Sequence, residues 1–244
     1  MIRRIPALAQ RLRSDTSGLA LLEFAFALPL VLGIGLYGVE TANLALANLR
    51  VSQVALNLAD NASRVGEIQS NNTSQLREID MNDVLTAAQL QGDPWDLTAR
   101  GRIIVSSLEE KSGKQMIHWQ RCLGTKGKPD APAAERADFN SHYGTTTDSA
   151  GTDATSATAG YEIPGAAGMG PTGSKVTAPP NSGVMFVEVN YQYKPVVSSA
   201  WLPGGSARIH YIASFIVRDK RVFTQIYNPS PAATRYTCSR YTET

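Results

Sequence analysis

The sequence predicts an α+β protein: a long N-terminal helix, transmembrane and then amphipathic, followed by a four-stranded antiparallel sheet domain with a long disordered insertion. Three observations lead there. Residues 19–39 (LALLEFAFALPLVLGIGLYGV) form an apolar run that holds one charge, Glu23. Residues 44–65 then keep apolar groups at three- and four-residue steps, the spacing of one helix face. Beyond residue 100, four stretches with strand character flank a turn-rich segment, residues 124–182.

The first segment, residues 1–18, is a basic leader in which Arg3, Arg4, Arg11 and Arg13 precede the apolar run, and the next basic residue is Arg50. The 21 residues from Leu19 to Val39 would extend about 31 Å as a helix, enough to cross a hydrocarbon core of roughly 30 Å. With the arginines on the N-terminal side, the positive-inside rule leaves the N-terminus in the cytoplasm and exports the rest. The expected placement is therefore a single pass through a bacterial inner membrane, with membrane lipid as one partner. A cleaved secretory signal is the main rival, although its apolar core would be shorter and a small-residue cleavage site would follow it. A buried helix of a soluble protein is the other. A net charge of +2 with dispersed basic residues gives no reason to expect nucleic acid as a partner.

Two residues depart from the hydrophobic pattern. Glu23 places a carboxylate inside the apolar run, where it either reaches back to the cytoplasmic headgroups or pairs with a cation when chains assemble. Pro29 removes a backbone hydrogen bond mid-span and predicts a kink. Together with Gly18, these residues form a pattern: glycine after a short basic leader, an apolar run, and glutamate at its fifth position, as at a prepilin processing site. The wider string DTSGLALLEFAFALPLVLGIGLYGVE resembles the TadE-like family of Tad (Flp) pilus assembly proteins. In that family a basic leader precedes G-x-A-x-x-E-F-A-x-x-x-P and a long aliphatic run. Gly18, Ala20, Glu23, Phe24, Ala25 and Pro29 all fall in place. The resemblance covers 40 to 50 residues and extends only weakly to the Tyr191-x-Tyr193-x-Pro195 stretch. It implies a peptidase cut between Gly18 and Leu19, and subunit interaction through Glu23, Phe24 and Pro29. The partners it implies are other pilins or pseudopilins, the pilus assembly machinery and a prepilin peptidase.

Residues 40–66 read as the helix continuing outside the membrane, with Leu44, Ala47, Val51, Val54, Leu58 and Val65 on one stripe. That stripe either covers the protein's own domain or meets a partner helix. In residues 67–123, Thr73 or Ser74 is placed to cap a helix through Leu76, Ile79, Val84, Leu85 and Leu90, with a break near Asp80 to Asp83. Arg102 to Leu108 and Lys114 to Cys122 then flank a Ser112-Gly113 turn, a hairpin pattern. Residues 124–182 carry few large apolar groups and many Gly, Pro, Ser and Thr, so a mobile insertion is expected. In residues 183–244, VMFVEVNYQY alternates with Met185, Val187, Val189, Tyr191 and Tyr193 on one face, and RIHYIASFIVRD supplies another strand. The two cysteines, Cys122 and Cys238, allow one intramolecular bridge, and export to an oxidising compartment favours it.

No chemistry-bearing constellation is visible. His118, His142 and His210 have no ligand at metal spacing, so neither a metal nor a cofactor is expected. Gly165 to Gly170 lacks the strand and the following Lys of a phosphate loop. There is no Gly-x-Ser-x-Gly elbow, Glu109-Glu110 sits by a turn, and Asp130, Asp148 and Asp153 lie in the insertion. No catalytic residue is assigned, and an enzyme is not expected. The expected role is that of a minor pseudopilin acting by helix packing. The alternative is a membrane-tethered periplasmic binding module that uses the C-terminal sheet.

Overall fold

The structure is a computed structural model of the 244-residue chain, and it describes residues 17–152 and 159–243. The basic leader with its four arginines, up to residue 16, lies outside the described residues. The chain forms two compact units, one of Met1–Ala45 with Pro195–Gly205 and the other of Leu46–Lys194 with Ser206–Thr244.

Helix α1, Ser17–Arg64, is 48 residues long and continues through Pro29. In the first unit it is exposed from Gly18 to Val39, apart from half-buried Gly33. This part is long and apolar enough to cross a membrane. An α-helix satisfies its backbone hydrogen bonds within one segment, as a single span in lipid must. Near the end of the run Thr41 Oγ1 donates to Tyr37 O and Asn43 Nδ2 donates to Val39 O, both at 2.9 Å, so these side chains fold back onto the helix.

In the second unit the stripe on α1 is buried. Ala47, Val51, Val54, Ala55, Leu58, Ala59 and Ala62 are all below a tenth exposed, so it covers the protein's own domain. Leu46, Leu49 and Leu56 make a second row that stays 41–57% exposed.

The polar link holds a two-stranded ladder, β1 (Glu67–Ile68) with β2 (Ser74–Gln75). Helix α2 then runs unbroken over Glu78–Gly92, which corrects the expected break near Asp80. Asp80 is the third residue of that helix. Its carboxylate accepts the Arg77 backbone N–H at 3.0 Å and the Arg77 guanidinium at 2.8 Å, so it starts the helix rather than breaking it. Arg77, not Thr73 or Ser74, is the capping residue. Met81, Val84, Leu85 and Ala88 face inward, whereas Ile79 and Leu90 are half or more exposed. A short helix α3 (Leu97–Arg100) leads into the sheet.

The main sheet has five antiparallel strands, not four: β3 (Gly101–Lys111), β4 (Lys114–Leu123), β5 (Tyr161–Glu162), β6 (Gly183–Gln192) and β7 (Arg208–Ile216), in the order β5-β4-β3-β6-β7. The added strand comes from the insertion and pairs with Met116 and Ile117 at the edge. Ser112 and Gly113 join β3 to β4 with φ of 54° and 79°, the pair of positive values that a type I′ hairpin turn requires.

Both sheet faces are covered, and strand register shows by what. Arg102 opposes Asn190, Ile104 opposes Glu188, and Asn190 opposes His210, so these residues share one face with Leu108, Ile117, Val184 and Phe186. Ile163, Met169 and Ala178 of the insertion are buried against those apolar groups, with Tyr143 and Val176 at the margin. Gln115 Nε2 donates to Ala178 O at 3.0 Å while Ala178 N donates to Gln115 Oε1 at 2.7 Å. The insertion also contributes helix α4 (Ala133–Phe139). Of the segment expected to be mobile, residues 153–158 lie outside the described residues. The stretches on either side lie on the sheet, because a few spaced apolar groups suffice to cover Leu108, Ile117, Val184 and Phe186. The opposite face meets the helical layer through the buried Arg121–Glu78 ion pair and through Tyr191, whose hydroxyl donates to Trp95 O at 2.9 Å.

The tail crosses back to β4. Cys122 and Cys238 form the expected disulfide, closing a loop of 116 residues with Cα atoms 4.8 Å apart. Cys122 N donates to Tyr236 O and Gly124 N to Thr242 O, at 2.7 and 2.8 Å. The fully buried Arg102 guanidinium donates to the carbonyls of Gly124, Arg240 and Cys238 at 2.6–2.9 Å. Among the described residues it has no carboxylate partner, and burial lowers its pKa to about 10.

Candidate functional site

The residues singled out in the N-terminal pattern all lie on the first part of α1. Gly18 has open space around it: a Cβ there would meet nothing within 4 Å. Leu19 and Phe24 are 63% and 61% exposed. Glu23 is exposed as well, and among the described residues it has no ion-pair partner. Gly18, Leu19, Glu23, Phe24 and Pro29 therefore present an apolar surface with one carboxylate in it. Among the described residues of the first unit, nothing covers that surface.

Four residues past Leu36 the helix carries a second carboxylate, Glu40. Glu40 is 2% exposed. Its oxygens accept three consecutive backbone N–H groups of the Pro195–Gly205 segment: Val196 at 3.1 Å, Val197 at 2.7 Å and Ser198 at 3.4 Å. Successive amides aimed at one anion form a small positively polarised cradle, and charge-assisted bonds of this kind are among the stronger ones. The segment also brings the Trp201 ring edge-on to Tyr37, with centroids 6.4 Å apart. The available signal was positional: Glu40 is the first charge after the apolar run. What it binds lies 156 residues further on, beyond the reach of local pattern reading.

A separate polar cluster lies in the second unit. His142 from the insertion, Glu188 from β6 and His210 from β7 place their donor atoms within 4.8 Å of one another. Glu188 is fully buried. Ser141 Oγ donates to its Oε2 at 2.7 Å and the His142 backbone N–H donates to Oε1 at 3.0 Å. The two imidazole rings lie 4.8 Å apart. His210 is driven toward its neutral form, first by burial and then by His142, with Glu188 opposing. Sequence spacing hides this group, since its members meet only through strand register and the fold of the insertion. The one legible hint is Glu188, the single charged residue of strand β6. The third histidine, His118, stands apart on β4, with Nε2 2.5 Å from Glu109 Oε2.

Comparison with family models, with characterised proteins and with solved structures finds no match to any of the three.

Proposed function

We propose that this chain is a membrane-anchored minor pseudopilin, an assembly protein of a Tad (Flp) type pilus, acting by helix packing and subunit interaction rather than by catalysis. The observation that carries the reading is the first part of α1: an exposed apolar helix with Gly18 at its start, a lone carboxylate at Glu23 and Pro29 along it. A plain tether has no use for a charge that costs a few kcal/mol in lipid. A subunit whose carboxylate neutralises the new amino terminus of a neighbour does have a use for it. In this reading a prepilin peptidase cuts between Gly18 and Leu19. Phe24 and Pro29 shape the packing surface. The N-terminus is cytoplasmic, the span lies in the inner membrane and the sheet domain is outside. The Cys122–Cys238 bridge accords with that oxidising side.

The test is Glu23→Gln in a piliated host. Export and membrane recovery stay normal while pilus number falls; undiminished piliation would sink the proposal. Mass spectrometry of membrane-extracted protein is expected to show a chain beginning at Leu19. The His142, Glu188 and His210 cluster favours a second reading, a tethered binding module. Replacing residues 1–39 with an unrelated anchor of the same orientation, while keeping Glu40, separates the two. A binding module keeps its activity, whereas a pseudopilin loses its own.

A further inference from the structure

His142, Glu188 and His210 are better arranged for holding an ion than for bonding to one another. The hydrogen bonds around them fix which atoms are free. Asn190 Nδ2 donates to Phe139 O at 3.4 Å, which turns its Oδ1 toward Arg208 Nη1 at 3.0 Å and His210 Nδ1 at 2.6 Å. An amide oxygen can only accept, so His210 carries its proton on Nδ1 and keeps a lone pair on Nε2. Proteins commonly orient a metal-binding imidazole in this way, with one ring N–H given to an oxygen and the other nitrogen left for the ion.

The other two donors are similarly prepared. Ser141 and the His142 backbone fix both oxygens of Glu188, each by a single bond, so lone pairs remain. His142 Nδ1 lies 3.4 Å from Glu188 Oε1 with no hydrogen bond between them. Two ligand atoms bound tetrahedrally to one ion at roughly 2.0–2.1 Å stand about 3.3 Å apart. The positive charge nearby is already matched, since Arg208 Nε lies 3.3 Å from Asp138 Oδ1.

The geometry points to a divalent transition-metal site, with Zn²⁺ as the ion and His142 Nδ1, Glu188 Oε1 and His210 Nε2 as its three protein ligands. Two imidazoles and one carboxylate suit a borderline ion such as Zn²⁺, whereas Ca²⁺ and Mg²⁺ want an all-oxygen shell. The His142 side chain is 30% exposed, which gives an entry path and room for water as the fourth ligand. Bound there, the ion cross-links the insertion, at His142, to strands β6 and β7. The site does not depend on Glu23 or on pilus assembly, so each can fail without the other.

The test uses the full-length chain in detergent, carrying no polyhistidine tag, stripped with chelator and titrated with Zn²⁺ by calorimetry. One Zn²⁺ per chain is expected, together with a rise in the thermal midpoint. His142→Ala removes an exposed ligand without opening the core, and it is expected to weaken binding at least 10-fold. Glu188→Gln is expected to weaken binding by at least as much. Co²⁺ in place of Zn²⁺ should give a tetrahedral visible spectrum that His142→Ala abolishes. Absence of stoichiometric binding in the wild-type chain overturns the proposal, and so does unchanged affinity in His142→Ala.

Discussion

Helix α1 offers two apolar surfaces that differ in what they meet. From Leu19 to Val39 it is apolar all round apart from Glu23, and all of it but Gly33 is exposed. From Leu46 to Arg64 a stripe of Val51, Val54, Leu58 and their small neighbours is buried, while the row Leu46, Leu49 and Leu56 stays exposed. The same contrast holds for carboxylates. Glu23 has no ion-pair partner among the described residues, whereas Glu78 is fully buried and paired with Arg121. Width of the apolar surface, not apolarity itself, tells the two apart. A one-sided stripe is finished by the protein's own interior, and an all-round one needs another solvent or other chains.

Matched substitutions would break that contrast if it is wrong. Leu58→Asp buries an unpaired carboxylate and should cost more than about 4 kcal/mol, read as collapse of the domain's urea or thermal transition. Leu30→Asp should leave that transition in place and instead reduce the share of protein recovered with membranes. A lowered transition in Leu30→Asp would mean that the first part of α1 is core after all. Cys238→Ser comes next, at on the order of 4 kcal/mol for a loop of 116 residues, measured against the wild type without reductant, with dithiothreitol expected to erase the difference. Glu78→Gln should cost about 3 kcal/mol, because it strands the Arg121 guanidinium at 1% side-chain exposure. Replacing both partners with apolar residues should recover most of that loss.

The smallest effect concerns Tyr191. Burial raises the pKa of its hydroxyl above the ordinary value near 10. The unfolded chain releases that proton near pH 10 while the folded chain keeps it, so stability is full below pH 10 and is lost as pH rises through and beyond it. Tyr191→Phe should cost about 1 kcal/mol at neutral pH through the lost bond to Trp95 O, and should flatten the decline above pH 10.

Features that depend on near neighbours were legible in the sequence. The apolar run, the Ser112-Gly113 turn and the strands on either side of it follow from residue type and alternation. The cysteine pairing needed only the count of two and a compartment. The fifth strand was not legible, because Tyr161–Glu162 is too short to show a period and exists only as an edge partner of Met116 and Ile117. The break expected near Asp80 to Asp83 is absent, since a carboxylate early in a helix looks the same in sequence whether it caps or interrupts. Residues 124–182 were read from their average composition, yet it is the position of Ile163, Met169 and Ala178 that seats them on the sheet. Glu40 and the group of His142, Glu188 and His210 were invisible for a related reason. Their partners are set by long-range register, and no local pattern encodes that.

The buried Arg102 imposes an order on how this protein can be made. Strand β3 leaves the ribosome early, but the carbonyls of Cys238 and Arg240 that receive its guanidinium belong to residues translated much later. The 116 residues between Cys122 and Cys238 alone take roughly 6–25 s at ordinary elongation rates. Throughout that interval a charged side chain at the centre of the sheet has no tail to bind. A nascent chain stalled before residue 238 leaves Arg102 without these two acceptors and should be a ready substrate for quality-control proteases.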